Sequence, residues 1–200
     1  MKKVYLFGAG GHAKVILDIL QSNNIIVEEL FDDDRAIKNF MGIPVSQEIK
    51  SPMIISIGNN SIRKKIAAKF SDNIYHKAMS KTAIISDNVL IGDGSVVMQG
   101  AIIQSSSQIG NHVIINTAAT VDHDCTIHDF VHIAPGVNLC GEVMVGEGTL
   151  IGAGSTVIQG IKIGKWCEIG AGSVVIKDVP DNAVVAGVPA KILKYKEAKP

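Results

Sequence analysis

The carboxyl-terminal half of the chain carries an aliphatic residue at every sixth position from residue 85 to residue 175. Those aliphatic positions are Ile85, Ile91, Val97, Ile103, Ile109, Ile115, Val121, Ile127, Ile133, Leu139, Val145, Ile151, Val157, Ile163, Ile169 and Val175. Neither the period of an α-helix nor the alternation of a strand produces this pattern alone. A short strand followed by a tight corner does. The pattern therefore predicts stacked short strands whose aliphatic column points inward.

This repeat resembles that of the hexapeptide-repeat acyltransferases. The resemblance implies a left-handed parallel β-helix over residues 79–190, in which three hexads make one triangular coil. The left hand comes from the resemblance, because ordinary crossovers between parallel strands are right-handed. A right-handed solenoid, or a β-rich binding scaffold, is the alternative fold. No hexad is interrupted, so we expect no long loop to project from the coils.

The first 78 residues have a different pattern, with an apolar strand, a glycine turn and a helical segment in "KKVYLFGAGGHAKVILDILQS". Gly8, Gly10 and Ala13 fit the spacing of a dinucleotide-binding turn. We therefore predict a small Rossmann-like α/β domain over residues 1–78. Because the segment is half the size of a full dinucleotide-binding domain, a nucleoside-diphosphate ligand fits it better than NAD. A turn that serves packing alone is the alternative. Residues 191–200 are predicted to form a C-terminal tail.

Four further motifs, "FGAGGHAK", "FDDD", "SIGNNSIRKKI" and "VAGVPAKIL", resemble one subfamily. It contains the UDP-4-amino-sugar N-acetyltransferases of the bacillosamine type and the sialic-acid O-acetyltransferases. The resemblance implies that the first domain binds a UDP-sugar at the carboxyl ends of its strands. The implied contacts are Gly10, Gly11 and His12 at the pyrophosphate or sugar, Asp32 and Asp33 at the uridine, and Gly58 and Asn59 closing the pocket.

The stretch "ATVDHDCTIHDFVH" holds three histidines. His123 and His132 are nine residues apart, half of a coil, so they lie too far apart to share a metal ion. No metal is expected. The family's catalytic histidine lies in a motif that "DHDC" matches. The resemblance therefore implies that His123 is a general base and that Asp124 orients its ring, whereas His128 is expected to be surface decoration.

An imidazole near pKa 6.5 is suited to take a proton from a sugar amine that attacks the thioester of acetyl-CoA. Gly141 follows His123 by one coil, and we expect its exposed amide to stabilise the developing oxyanion. No nucleophile–base pair indicates a covalent intermediate, so direct attack is expected.

Small residues that repeat every 18 positions indicate a groove for the pantetheine arm of coenzyme A. We predict acetyl-CoA contacts at His132, Gly141, Gly152, Ala153, Ala171 and Lys191, with His132 contributed by the neighbouring subunit, and the resemblance implies a further contact at Asn116. Glycines required only by corner geometry, and a solvated basic tail at Lys191, are the alternatives. The family resemblance implies a homotrimer with each site between two subunits.

Composition and charge argue against two classes of partner. The formal net charge is zero, and no basic stripe or acidic tail occurs, so neither nucleic acid nor a membrane is expected as a partner. Three cysteines without a CxxC pair, and no signal-like apolar segment, indicate the cytoplasm.

The predicted function is acetyl-CoA-dependent N-acetylation of a UDP-linked 4-amino-sugar. An O-acetyltransferase acting on a sialic acid or another sugar hydroxyl is the nearest alternative, because the same base serves both. A non-catalytic nucleotide-sugar-binding scaffold is the alternative from another class. NAD-dependent redox chemistry is disfavoured by the short first domain.

Overall fold

The computed structural model describes residues 3–197 and divides them between an α/β unit and a β-helix. The elements of the α/β unit are β1 (Lys3–Phe7), α1 (Gly11–Ser22), β2 (Ile26–Phe31), β3 (Asn39–Phe40), β4 (Ile43–Ser46), β5 (Met53–Ile55) and α2 (Asn60–Lys69). Its sheet has the order β3-β4-β2-β1-β5, and only β3 is antiparallel to its neighbour. The Rossmann-like prediction is confirmed.

Helix α1 is amphipathic, and its buried side packs on this sheet. Ala13, Ile16, Ile19 and Leu20 are at most 1% exposed. They recur at three- and four-residue intervals, which place them on one face of a helix. That packing fixes the amino-terminal end of α1 at the carboxyl end of β1.

The remaining strands form a triangular β-helix whose faces are three sheets, parallel throughout except for the last strand of face 1. Face 1 contains β6 (Ala78–Met79), β9 (Val96–Val97), β12 (Ile114–Ile115), β15 (His132–Ile133), β18 (Leu150–Ile151), β21 (Glu168–Ile169), β23 (Ala183–Gly187) and β24 (Ala190–Tyr195). Face 2 contains β7 (Ile84–Ile85), β10 (Ile102–Ile103), β13 (Thr120–Val121), β16 (Asn138–Leu139), β19 (Thr156–Val157) and β22 (Val174–Val175). Face 3 contains β8 (Leu90–Ile91), β11 (Gln108–Ile109), β14 (Thr126–Ile127), β17 (Met144–Val145) and β20 (Lys162–Ile163).

The coils stack in strict register. Ile102 pairs with Thr120, and Thr120 pairs with Asn138, so equivalent residues are 18 positions apart. The chain runs from face 1 to face 2 to face 3 and back, and this is the left-handed parallel β-helix that the family resemblance implies.

The inside of the β-helix is filled by the predicted aliphatic column, and Val121, Ile133 and Val157 are 0% exposed. A second column of small residues lines the corners. Where it is polar, the hydroxyl donates to a corner carbonyl, as Ser107 does to Asp122 at 2.7 Å and Thr149 does to Gly164 at 2.7 Å. These bonds satisfy polar groups that would otherwise be costly to bury.

The α/β unit sits on face 1. Ala78, Val96, Met98 and Ile114 belong to the outer side of the β-helix, yet each is only 1% exposed because it shares an apolar cluster with α1. Helix α2 lies along the neighbouring corner, between faces 3 and 1, where Asn60 Nδ2 donates to the carbonyl of Gly148 at 3.1 Å.

The predicted unit boundaries fall inside elements of the structure. The boundary at residues 78 and 79 lies within β6, and the predicted tail begins within β24, which pairs antiparallel with β23. The end of that tail, residues 198–200, lies outside the described residues. The division into units therefore stays a prediction.

Neither helix in the described part of the chain is long and apolar enough to cross a membrane.

Replacing Ile133 by Ala is expected to lower the free energy of unfolding by about 2–5 kcal/mol, since it empties a fully buried site between two coils. Leu90→Ala is the matched control, because Leu90 points outward and is 67% exposed. It should change stability by less than about 0.5 kcal/mol. Urea unfolding followed by circular dichroism measures both, and equal losses would contradict the assigned inward column.

Candidate active site

The amino-terminal end of α1 is open. Gly8 has a φ of +109°, which favours glycine, and its position leaves room for the side chain of Ile57. Gly10 is the N-cap without a side-chain cap, and a Cβ on Gly10 or Gly11 would meet nothing within 4 Å. The first backbone N–H groups of the helix therefore face free space, an arrangement that suits a phosphate.

Asp32 supports this turn through its side chain. Its Oδ2 accepts from the Ala9 N–H at 2.8 Å, and its Oδ1 accepts from the Asp34 N–H at 2.9 Å. Both carboxylate oxygens are thus engaged within the chain, while Asp33 is exposed beside them. Of the two predicted uridine contacts, Asp33 is the more exposed, and each oxygen of Asp32 keeps acceptor capacity beyond its one backbone bond.

The loop after β5 closes the same side of the sheet. Asn59 is the N-cap of α2, and its Oδ1 accepts from the Ile62 N–H at 3.0 Å. A Cβ on Gly58 would meet nothing within 4 Å, so this residue borders open space. The side chain of Asn59 is therefore occupied in capping, and Gly58 presents backbone.

Two predicted coenzyme A contacts, Asn116 and His132, lie together on face 1. The Asn116 Nδ2 is 3.0 Å from the His132 Nε2, and the Asn116 Oδ1 accepts from the Thr117 N–H at 2.8 Å. Because Nδ2 must donate, the His132 Nε2 is an acceptor without a proton. The backbone of Gly58, in the loop after β5, lies next to the ring. His132 thus lies where that loop meets the β-helix within one chain.

Buried histidines surround this junction. Burial, followed by the charge of Arg63, lowers the pKa of His132 and of His112 to about 4. Burial, followed by the charges of His132 and Arg63, lowers the pKa of His12 to about 4. Nε2 of His12 is buried and has no hydrogen-bond partner among residues 3–197. All three rings are therefore neutral at pH 7, and His12 keeps an unused polar atom.

His123 differs from these three histidines because its side chain is 55% exposed. Its Nδ1 is 2.8 Å from the Asp124 Oδ2. That hydrogen bond, with the charges of Asp122, Asp124 and Glu142, raises the pKa of His123. An imidazole oriented by a carboxylate in this way is arranged to act as a base through Nε2.

Gly141 lies against the ring of His123. A Cβ at residue 141 would sit 2.6 Å from the His123 Cε1, so only glycine leaves the imidazole its place. Gly141 is buried beneath that ring, so the expectation of an exposed amide was wrong for the single chain, but no acceptor among the described residues takes its N–H. The spacing of one coil thus brings together a base and an unused backbone donor.

The other predicted contacts lie on a different edge. Ala153 and Ala171 are exposed at the corner between faces 1 and 2. A Cβ on Gly152 would meet the Ile169 carbonyl oxygen at 2.5 Å, so the close stacking of coils requires glycine there. Lys191 is exposed on β24, opposite Ala186. Together these residues form an exposed edge of small side chains that ends near a lysine.

The two halves of the predicted site do not meet within one chain. His123 lies at the corner between faces 2 and 3, and the α/β unit covers face 1. In a triangular prism that corner is opposite that face. The predicted nucleotide-sugar contacts and the predicted base therefore point to opposite sides of the β-helix.

No cluster of three or more His, Cys, Asp or Glu side chains within residues 3–197 is arranged to hold a metal ion.

The sequence did not point to Arg63, whose side chain is 1% exposed beneath the loop that follows β5. In "SIRKKI" Arg63 precedes two lysines, and a basic run of this kind usually lies in solvent. The signal available was its spacing of three from Asn60, which puts both residues on one face of α2.

Two family models match this chain. The PglD N-terminal domain covers residues 3–70, and the bacterial transferase hexapeptide model (six repeats) covers residues 142–177. The fold and these two matches together indicate a hexapeptide-repeat transferase with an added α/β unit.

A solved structure extends the match to nearly the whole chain. The perosamine N-acetyltransferase of Caulobacter crescentus, crystallised as a mutant with CoA and GDP-perosamine, is 36% identical, with a TM-score of 0.92. The alignment covers 97% of this chain and 98% of that one. The chain belongs to the family of hexapeptide-repeat acyltransferases that contains the nucleotide-amino-sugar N-acetyltransferases.

Curated relatives match over shorter stretches. The UDP-N-acetylbacillosamine N-acetyltransferase of Bacillus subtilis (strain 168) is 38% identical over 112 residues, which are 49% of this chain and 52% of that protein. An uncharacterized protein of Acanthamoeba polyphaga mimivirus is 37% identical over 119 residues, which are 56% of this chain and 24% of that protein. The chain thus spans about half, or less, of these relatives' lengths.

We expect the protein to lose stability as the pH falls from about 6.5 towards 4. His12, His112 and His132 have a pKa of about 4 when folded, so the unfolded chain, with a histidine pKa near 6.5, binds protons first. Stability is therefore fully present above pH 6.5. Each ring contributes a loss of up to about 2 kcal/mol by pH 5.

Urea midpoints at pH 7.5, 6 and 5 measure this loss. The control is His112→Phe, which keeps a flat ring between Phe130 and Tyr75 but cannot titrate. Its midpoint should depend less on pH than that of the wild type. An unchanged wild-type midpoint between pH 7.5 and 5 would contradict the low pKa values.

Proposed function

We propose that this protein transfers the acetyl group of acetyl-CoA to the amino group of a UDP-linked 4-amino-sugar, at sites between adjacent copies of a homotrimer. The observation that carries the proposal is the edge formed by His123, Asp124 and Gly141. There an exposed imidazole, a carboxylate 2.8 Å from its Nδ1 and an unused backbone N–H stand together. The C. crescentus relative, solved with CoA and GDP-perosamine, supports the substrate classes.

The α/β unit supplies the binding side for the nucleotide sugar. The open N-terminus of α1 at Gly10 and Gly11 suits the pyrophosphate, and the exposed carboxylate of Asp33 suits a base or ribose donor. Neutral His12 offers its unused ring nitrogen to the sugar. The B. subtilis relative's name points to uridine and the ligand of the C. crescentus relative points to guanosine, so both nucleotides belong in the assay.

The chemistry needs one base and one oxyanion donor. The neutral amine attacks the thioester carbonyl carbon, and Nε2 of His123 takes the proton that the amine loses. The carbonyl oxygen becomes negative in the tetrahedral intermediate and accepts from the Gly141 N–H. When the intermediate collapses, the C–S bond breaks, and the imidazolium returns the proton to the departing thiolate of coenzyme A. Asp124 stabilises that imidazolium.

Assembly follows from the opposed halves. Because His123 and the α/β unit lie on opposite sides of one β-helix, a complete site requires a second copy. Face 2 offers a surface for this contact, since its outward column carries no charge. That column is Ile84, Ile102, Thr120, Asn138, Thr156 and Val174. Three copies related by a threefold axis give three identical sites.

Coenzyme A then runs between the His123 edge of one copy and the small-residue edge of the next. Asn116, Gly152, Ala153 and Ala171 lie on that second edge, where exposed backbone suits the amides of the pantetheine arm. His132 and Lys191 remain predicted contacts of this arm and of a coenzyme A phosphate. A cytoplasmic location completes the proposal, consistent with the three free cysteines.

Replacing His123 by Ala is expected to lower the rate of acetyl transfer about 10²–10⁴-fold, because the base is lost.

Replacing Asp124 by Asn should lower the pKa of His123 and move the acid limb of kcat/KM to lower pH, since the raised pKa depends first on that carboxylate. Release of coenzyme A is measured with UDP- and GDP-linked 4-amino-sugars and with a sialic acid as the hydroxyl acceptor.

His128→Ala is the matched control, because His128 is exposed on the same coil at the next corner. It should retain the wild-type rate. Equal activity of wild type and His123→Ala, or transfer to the hydroxyl acceptor alone, would refute the proposal.

Mixing two inactive variants should restore activity if each site lies between copies. His123→Ala removes the base, and Gly11→Asp places a carboxylate in the open space where the pyrophosphate is expected. Random mixed trimers would carry both intact halves at about a quarter of their sites. Co-expression followed by the coenzyme A assay measures the recovery. A site built within one chain predicts no recovery at all.

A further inference from the structure

Arg63 is a buried cation that connects the two units of the chain. Its side chain is 1% exposed, and all five of its N–H groups have acceptors. The acceptors are the carbonyl oxygens of His112 at 2.8 Å, Ile57 at 3.0 Å, Gly58 at 3.1 Å and Phe130 at 2.9 Å, and Oδ1 of Asn60 at 2.8 Å. Three of these acceptors belong to residues 57–60, called loop 57–60 below, and two belong to the β-helix.

The charge of Arg63 is held by dipoles alone. No carboxylate among the described residues forms an ion pair with it, and burial lowers its pKa to about 9. A buried charge without a counter-ion is costly unless each of its donors is bonded. The site is therefore built for a planar guanidinium, and the compact ammonium of lysine cannot reach all five acceptors.

The acceptors on the β-helix follow its register. His112, Phe130 and Gly148 are one coil apart at the corner between faces 3 and 1, and each has a positive φ. Their carbonyls receive no backbone N–H from residues 3–197. Arg63 takes the first two, and Nδ2 of Asn60 takes the third at 3.1 Å.

The next residue of that column, Trp166, extends this seam of contacts between α2 and the β-helix. Nζ of Lys64 lies 5.3 Å from the ring centroid of Trp166, and it also pairs with Glu147. Positions 60, 63 and 64 of α2 thus engage four successive coils, and the loop that precedes α2 is fixed along with it.

We propose that Arg63 is a positioning residue that holds loop 57–60 in register with the β-helix and thereby sets where the nucleotide sugar lies relative to the acetyl donor. The assignment rests on the proposed function, since loop 57–60 borders the predicted sugar pocket. The carbonyls of Ile57 and Gly58 are central, because both accept from the same guanidinium nitrogen, at 3.0 and 3.1 Å. One guanidinium therefore fixes the backbone of the loop against the β-helix.

The kinetic test uses Arg63→Ala and Arg63→Lys in the full-length chain, with Lys65→Ala as the control. Lys65 carries the same charge on the same helix but is exposed. Both Arg63 variants should raise KM for the nucleotide amino sugar about tenfold or more and change KM for acetyl-CoA less than about twofold, because only one substrate meets the loop. Lys65→Ala should match the wild type.

Chemical rescue adds a readout that a general loss of stability would not give. Millimolar guanidinium should enter the space left in Arg63→Ala, lower KM for the nucleotide sugar and restore hydrogen-exchange protection of the amides of residues 62 and 63, whose N–H groups bond Asn59 of that loop. The same concentration should do neither in the wild type. If Arg63→Ala does not fold, Arg63→Lys carries the kinetic and exchange arms.

Equal increases in both KM values, unchanged kinetics in Arg63→Lys, or unaltered exchange of the amides of residues 62 and 63 would each overturn the assignment. Failure of the proposed function is distinguishable, because the wild type itself would then transfer no acetyl group. Hydrogen exchange with and without guanidinium needs no activity and would still decide whether Arg63 holds the loop.

Discussion

The stacking of coils at an interval of 18 residues is the constraint on which the rest of the structure depends. Each strand bonds its equivalent in the next coil, so residues of one column lie about 4.8 Å apart. Functional groups therefore come together when their residues lie in the same column. Gly141 lies over His123 because they are one coil apart, and the carbonyls of His112 and Phe130 reach one guanidinium for the same reason.

The same rigidity keeps His123 apart from the predicted sugar-binding residues of the α/β unit. A triangular core packed with aliphatic side chains does not bend to bring a corner towards the opposite face. The α/β unit is itself fixed on face 1 by the apolar side of α1 and by the polar seam of α2. The proposed function therefore places the two-substrate site between copies of the chain, whereas many single-chain enzymes close a lid or a domain hinge.

Most of the fold and part of the candidate site were predictable from the sequence. The hexad, the glycine turn and the pairing of His123 with Gly141 follow from local spacing. The roles of Asp32 and Asn59 were not predictable, because side chains suited to a ligand are used here to hold a turn and to cap a helix. Arg63 was missed since its burial depends on two units meeting, which no pattern within "SIRKKI" records.

By itself the sequence determined which residues point into the β-helix, the interval at which coils stack, and the presence of a glycine turn before α1, because periodicity and backbone conformation are local properties. Only the tertiary structure decided which histidines are neutral and which is basic. The pKa of a ring depends on its burial and on the charges around it, and these arise when the α/β unit covers face 1 and leaves the opposite corner open.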